Sequence, residues 1–169
     1  LLTDMNEPLA DAAGNAVEIV NCIAFLKGEK SGTRLETVTL ALGADMLINA
    51  GVETDRSQAE ARCRHSISSG AAAEVFARMV HGLGGPADLL ERPGHYLPKA
   101  RIEMPVLAPE TGFLTHVATR DLGMAVIDLG GGRRLATDRI DHSVGFSGFL
   151  PLGTKVQKGE VLAMVHAAD

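Results

Sequence analysis

The change in hydrophobic spacing near Pro93-Gly94 restricts the fold of this chain more than any other feature of its sequence. Before this point, apolar residues recur at the three- and four-residue spacing of amphipathic helices. After it, they come in short alternating runs interrupted by glycines, which is typical of short antiparallel strands. We therefore predict two folding units, a helix-rich unit over residues 1–95 and a β unit over residues 96–169.

The helix-rich part is predicted to contain four helices. The first runs from Ala16 to Leu26, and the second ends near Gly51. Asp55 or Ser57 can cap the third helix, and the fourth ends at a run of glycines that begins with Gly82. Their apolar stripes are expected to face a core. These stripes contain Val17, Val20, Ile23, Leu35, Val38, Leu42, Met46, Ala61, Cys63, Ile67, Val75, Phe76, Met79 and Val80.

The β part is predicted to contain strands at 102–106, 124–129 and 135–141, with Gly130–Arg134 as a hairpin between the last two. The segments 108–112 and 152–162 resemble the sandwich-like hammerhead of biotinyl and lipoyl domains. A carrier domain of that kind needs a modifiable lysine at an exposed hairpin tip. Lys155 and Lys158 lack the flanking methionines or acidic residues of such a tip, so no carrier function is expected.

Composition excludes several classes of partner. The net charge of −5 argues against nucleic acid or an anionic membrane, because both attract basic surfaces. No apolar run approaches the roughly 20 residues of a membrane span. Cys22 and Cys63 fit neither a disulfide framework nor a metal knuckle, and buried cytoplasmic thiols are the simpler interpretation.

The residues alone do not reveal a catalytic centre. Gly130–Arg134 could hold a phosphate through backbone amides and guanidinium groups, but a flexible hairpin is the preferred interpretation. The six histidines lack metal-ligand spacing, and no serine lies in a hydrolase nucleophile motif. The start at Leu1, without methionine or a helix cap, suggests a piece of a longer chain.

Three stretches carry a family resemblance. The runs LLTDMNEPLADAAGNAVEIVNCIAFLKGE, GAAAEVFARMV and GMAVIDLGGGRRLATDRIDHSVGF are similar, in collinear order, to thymidine and pyrimidine nucleoside phosphorylases. The resemblance implies an α/β (α+β) fold, with helices on part of a mixed catalytic-domain sheet followed by a mostly antiparallel β hammerhead. It also implies reversible phosphorolysis of thymidine to thymine and 2-deoxyribose 1-phosphate, in a cytoplasmic homodimer.

The same resemblance sets expectations for the sites. The family's phosphate-binding and base-binding residues match nothing in this chain, so no catalytic residue is assigned, and the piece alone is expected to be inactive and monomeric. Phosphate is a co-substrate, and no organic cofactor is expected. A monovalent cation site matches Leu9, Ala12 and Asn21, although Asn21 stands where the family has a carboxylate. The loop Gly130, Gly131, Gly132, Arg133, Arg134 is expected near the cleft. The alternative is a non-enzymatic scaffold or binding module.

Overall fold

The computed structural model describes residues 1–169, which divide into two compact units. The helical unit comprises Leu1–Leu2 and Cys22–Tyr96, and the β unit comprises Thr3–Asn21 and Leu97–Asp169. Along the chain the second change of unit falls between Tyr96 and Leu97. Residues 3–21 group with the β unit because they contribute a strand to its main sheet.

The helices of the structure confirm the four predicted from apolar spacing. They are α1 (Ala16–Leu26), α2 (Arg34–Asn49), α3 (Arg56–Ser68) and α4 (Ala71–Gly82), followed by the short α5 (Pro93–Tyr96). Thr33 caps α2 by accepting a hydrogen bond from Glu36 N. Asp55 caps α3, because its carboxylate accepts from Gln58 N at 2.9 Å.

In the helical unit, α2 and α3 pack closely at a glycine. A side-chain carbon at Gly43 would lie 2.9 Å from the Cys63 sulfur, so the absence of a side chain lets the two helices approach. Leu40 and Ala44 of α2 and Ala59 of α3 are buried. Arg56 Nη1 lies 2.6 Å from Asp45 Oδ1 and ties the start of α3 to α2.

The predicted core stripes are only partly correct. On α2, the buried residues are Leu40 and Ala44, whereas Met46 of the predicted stripe is 71% exposed. On α4 no residue is buried, and Val75 and Met79 are both about half exposed. A periodic apolar stripe indicates which face of a helix is suited to burial. Whether that face is buried depends on which other elements pack against it in the tertiary structure.

The β unit contains two antiparallel sheets. Its main sheet has the order β1 (Ala12–Gly14), β4 (Gly145–Ser147), β6 (Val161–Ala167) and β2 (Ile102–Leu107). The second sheet pairs β3 (Gly112–Phe113) with β5 (Lys155–Val156). The α+β class is therefore confirmed, but every strand pair is antiparallel, and the expected part of a mixed sheet does not occur in residues 22–96.

Two glycines permit the close pairing of β1 with β4. Gly14 lies opposite Gly145, and both adopt positive φ, near 146° and 147°. A side-chain carbon at Gly145 would lie 2.4 Å from the carbonyl oxygen of Ala13. Glycine is therefore required at this crossing by both backbone conformation and space.

The predicted strand at 124–129 is wrong, because Thr119–Asp128 forms helix α6. Leu122, Ala125 and Val126 share the three- and four-residue spacing of one helix face, and the alternation of Met124, Val126 and Asp128 was a weaker signal. Residues 135–141 form no strand either. The hairpin prediction for Gly130–Arg134 is therefore wrong, and this segment is the loop that follows α6.

Candidate functional site

The loop Gly130–Arg134, called the arginine loop below, folds back onto the end of α6. Gly131 N donates to Val126 O at 2.8 Å, and Gly130 has φ of 95°. Side-chain carbons at Gly131 and Gly132 would lie 2.9 Å from Val126 Cγ1 and 2.7 Å from Ile127 Cγ1. The triple glycine therefore serves close packing against the helix.

Other segments of the β unit hold the same loop from outside. Asn15 Nδ2 donates to Gly131 O at 2.9 Å, and Asp141 N donates to Gly130 O, also at 2.9 Å. Asn15 immediately precedes α1, and Ala16 N donates to His142 O at 3.0 Å. These bonds link the start of α1, the arginine loop and the segment before β4 within one unit.

The two arginines of the loop differ in their surroundings. The Arg134 guanidinium forms an ion pair with Asp128, and Arg134 N donates to Asp138 Oδ2 at 3.0 Å. Leu135 N donates to the same oxygen at 2.8 Å, and these backbone bonds lower the pKa of Asp138. Arg133 is exposed, and its guanidinium has a charge interaction with Asp138 that contributes to the lowered pKa of that carboxyl group. Arg134 thus belongs to the anchoring of the loop, while Arg133 keeps its donors available.

Acidic groups near the loop are used as local anchors. Asp141 Oδ1 accepts hydrogen bonds from Ser143 N at 2.8 Å and from Ser143 Oγ at 2.6 Å. These bonds to Ser143 lower the pKa of the Asp141 carboxyl group. The neighbouring His142 is exposed. Asp138 and Asp141 therefore act as ionised caps of turns, and neither is poised as a general acid.

The three residues of the predicted cation site lie near the start of the β unit. Ala12 is buried in β1, Leu9 is 43% exposed in the preceding segment, and Asn21 is 7% exposed on α1. Asn21 Nδ2 hydrogen-bonds to Asp11 Oδ1, whereas Asn21 Oδ1 is buried without a hydrogen-bond partner. Such an oxygen costs about 1–3 kcal/mol when it is left unsatisfied. Asn21 Oδ1 accepts no hydrogen bond, and an amide oxygen of this kind can bind a cation. The residues present are therefore compatible with the predicted site.

The structure brings together a serine, a histidine and a glutamate that the sequence pattern did not predict to lie close to one another. Ser147 Oγ lies 2.7 Å from His166 Nε2, and His166 Nδ1 lies 3.6 Å from Glu103 Oε1. The cross-strand register brings the three side chains to one face of the sheet, since His166 pairs with Gly145 on one side and with Glu103 on the other. Only strand pairing brings these distant residues together. At 3.6 Å the carboxylate is too far to orient the ring by a hydrogen bond.

Open cavities also occur in the β unit. One of about 470 Å³ lies at the start of α1. Another, of about 410 Å³, is mainly apolar and lies between α6 and the main sheet. Its wall includes Val106, Leu122, Ala125, Phe146, Phe149 and Leu162, with His116 and Asp121 as its ionisable members. Neither cavity is lined by Ser147 or His166.

Metal-binding clusters, reactive cysteines and membrane-spanning helices would each indicate a further kind of site. It has no group of three or more His, Cys, Asp or Glu side chains placed to hold a metal ion. Cys22 and Cys63 are free, and partial burial raises the pKa of the Cys22 thiol. None of the helices combines the length and hydrophobicity needed to cross a membrane.

Comparison with known proteins confirms the resemblance expected from the sequence. Residues 113–169 match the family described as the pyrimidine nucleoside phosphorylase C-terminal domain. Over all 169 residues, the chain is 60% identical to the thymidine phosphorylase of Rhizobium meliloti (strain 1021). It is 57% identical to that of Sinorhizobium medicae (strain WSM419) and 47% identical to that of Burkholderia orbicola (strain MC0-3).

The chain spans less than two fifths of these relatives. The aligned region is 38% of the Rhizobium protein and 39% of each of the other two, while 100% of this chain is covered. It corresponds to their C-terminal part.

Proposed function

We propose that this chain, whose residues 113–169 match the pyrimidine nucleoside phosphorylase C-terminal domain family, is the C-terminal part of a thymidine phosphorylase. The observation that carries the proposal is the 47–60% identity to proteins of that name along the whole chain. A shared β domain alone would leave residues 1–112 unmatched, but these residues align as well.

The proposed reaction of the whole protein is the reversible phosphorolysis of thymidine in pyrimidine salvage. Phosphate attacks the anomeric carbon as the bond to thymine breaks, giving thymine and 2-deoxyribose 1-phosphate. Such a reaction depends on positioned groups that hold phosphate and stabilise the charge that develops on sugar and base. We assign no catalytic or substrate-binding residue within 1–169. The proposal therefore places the catalytic groups in the remainder of the protein.

The arginine loop is the part of this chain that we propose lies toward the substrate cleft. Its anchoring by Asn15, Asp138 and Asp141 gives it a defined position, and Arg133 retains free donors for an anionic partner. Closure of the enzyme over substrate would bring such a partner to Arg133. The loop would then stabilise the closed form without contacting substrate or taking part in bond breaking.

The cation site is proposed to brace the junction between β1 and α1. The carbonyl oxygens of Leu9 and Ala12 and the amide oxygen of Asn21 would hold a monovalent ion. When bound, the ion supplies a fixed positive charge and joins two segments of backbone. The buried, unpartnered Asn21 Oδ1 supports this assignment.

The remaining features of the whole protein follow from the family resemblance. We propose a cytoplasmic homodimer, with the sheets of the β unit arranged as a hammerhead. The two free cysteines are compatible with a reducing compartment. The alternative, a non-enzymatic scaffold or binding module, has no observation of its own in its favour.

A thymine-release assay with thymidine and phosphate tests the proposal. The full-length protein should turn over at an ordinary enzymatic rate, about 1–1000 per second, and the 169-residue chain should show no turnover. Activity of the isolated chain would contradict the placement of the catalytic groups. A full-length protein that binds neither thymidine nor phosphate would favour the scaffold alternative.

A further inference from the structure

Strand β2 forms one edge of the main sheet, because the strand order is β1, β4, β6 and β2. All six of its residues, Ile102–Leu107, are exposed. Large apolar side chains with exposed fractions between 40% and 58% make up most of this strand: Ile102, Met104, Val106 and Leu107. An exposed apolar strand at the edge of a sheet is a template for pairing with another chain.

The backbone just after β2 shows which groups of the strand face its neighbour β6. Ala108 N donates to Glu160 O at 2.8 Å, and Gly159 N donates to Ala108 O at 2.9 Å. Both backbone groups of Ala108 therefore point to the β6 side. The register shift beside them places one extra residue, Leu162, on β6, so the alternation along β2 itself continues without a break.

This alternation assigns the remaining backbone groups of β2. In an antiparallel strand, every second residue directs both its N–H and its C=O to the same side. Met104 and Val106 therefore face β6, as the residue after the strand does. The free edge is left to the three residues between and beside them, which are Glu103, Pro105 and Leu107.

Pro105 occupies the middle of the free edge. Its ring removes the N–H that any other residue would offer there. Proline is found within sheets mainly where its missing N–H would point away from the neighbouring strand, and position 105 meets that condition. The centre of this edge thus offers an approaching strand an acceptor and no donor.

Pairing of two β2 strands would suffer from this missing donor. In a two-fold antiparallel arrangement about residue 105, the two prolines would face each other where two hydrogen bonds normally form. Both bonds would be absent, and two carbonyl oxygens would lose access to water without gaining a donor. A register shifted by two residues places Pro105 opposite Leu107 of the second copy and again removes two donors. Every register that includes Pro105 carries this loss.

We propose that Pro105 keeps the edge strand β2 from pairing with a second copy of this chain. The proline removes the central donor from an edge whose exposed apolar side chains would otherwise favour association. The inference concerns the sheet edge alone, so it does not depend on which reaction the whole protein catalyses.

Sedimentation velocity of the 169-residue chain over a range of concentrations tests the proposal. Every sample carries Val75→Gln/Met79→Gln, which removes exposed apolar side chains of α4 as a second route to association. Pro105→Ala returns an N–H to the free edge and adds only a small side chain. We expect this variant to self-associate roughly tenfold more tightly than the chain with Pro105, because each symmetric contact regains two hydrogen bonds.

Two control variants separate the missing donor from other properties of the chain. Pro98→Ala replaces an exposed proline that lies in no strand. Glu103→Gln removes the charge from the free edge of β2 but leaves the donor at Pro105 missing. Both controls should sediment as the chain with Pro105 does.

Amide hydrogen exchange shows whether association uses the edge of β2. In the chain that retains Pro105, the Glu103 and Leu107 amides should exchange fast and the Met104 and Val106 amides slowly, because only the latter pair face β6. Association of the Pro105→Ala variant should slow exchange at Glu103 and Leu107. Association through side chains elsewhere would leave these two amides unchanged.

Three results would overturn the proposal. The first is a Pro105→Ala variant that stays folded and sediments as the chain with Pro105 does, or that associates without protection of Glu103 and Leu107. The second is slow exchange of these two amides in the chain that retains Pro105, which would mean that the edge is not free; this result decides the matter even if Pro105→Ala does not fold. The third is association of either control variant, which would show that something other than the missing donor keeps the chains apart.

Discussion

The adjacent residues Arg133 and Arg134 are of the same type but have different roles in the structure. The Arg134 guanidinium forms an ion pair with Asp128, whereas the exposed Arg133 has only a charge interaction with Asp138. Surface ion pairs contribute little on their own, about 0–1 kcal/mol, but Arg134 also caps the loop through its backbone N–H. The side chain of Arg133 contributes only a charge interaction with the exposed Asp138, so a substitution there should disturb the loop little.

We expect Arg133→Ala, made in the full-length enzyme, to lower kcat/KM for thymidine phosphorolysis about tenfold, equivalent to about 1.4 kcal/mol. The melting temperature should change little, because the side chain loses only a solvent-exposed charge interaction with Asp138. Arg134→Ala is the matched control, which should lower the melting temperature slightly. Steady-state kinetics with thermal unfolding of both variants provide the measurement. If Arg133→Ala leaves the kinetics unaltered, the loop serves only the β unit.

At the scale of secondary structure, the pairing of β1 with β4 depends on how closely the two backbones can approach each other, and less on the strand propensity of their residues. Gly14 and Gly145 face each other where β1 meets β4, and both adopt backbone angles that other residues rarely reach. The strand pair is short, and the next strand positions pair Ala13 with Phe146 and Ala12 with Ser147. Loss of one pair should therefore release the whole N-terminal strand from the sheet.

Gly145→Ala should destabilise the protein by at least about 2 kcal/mol, through backbone strain and a clash with the Ala13 carbonyl oxygen. Gly148→Ala is a suitable comparison, since its φ is also positive, at 67°, but a side-chain carbon there meets no atom within 4 Å. Urea unfolding of both variants measures the difference. Equal stability losses would show that conformation alone, and not the crossing of β1 with β4, requires glycine.

At the scale of the whole molecule, apolar surface remains uncovered on the helical unit. Val75 and Met79 of α4 are 54% and 51% exposed, and Leu83 just after it is 82% exposed. Met46 of α2 is more exposed than Val75 or Met79. Val75, Met79 and Leu83 recur at four-residue spacing, so exposed apolar side chains follow one side of α4, and apolar surface of this kind is usually covered by protein.

We expect the isolated 169-residue chain to be monomeric at low concentration and to self-associate weakly through the helical unit as concentration rises. The apolar surface of α4 is the physical reason. Sedimentation velocity of the chain and of a Val75→Gln/Met79→Gln variant is the measurement, and the variant should remain monomeric. A tight dimer whose interface lies only in residues 100–169 would contradict this expectation.

Local sequence determined those features that depend on neighbours within a few residues. The helices at 16–26, 34–49, 56–68 and 71–82, and the Asp55 cap, follow from apolar spacing, glycine stops and side chains that reach their own backbone. Family resemblance was also readable, because long collinear stretches retain it. The helix at residues 119–128 was not predicted, because its apolar residues satisfy both helical and strand spacing.

Tertiary structure alone decided the features that join distant segments. Residues 12–14 become a strand only because residues 145–147 lie beside them, and the helix face that is buried depends on what packs against it. The Asp11–Asn21 bond and the Ser147–His166 contact depend on folded geometry in the same way. Sequence pattern carries local periodicity, whereas the pairing of remote segments is selected by the summed packing and hydrogen bonding of the whole unit.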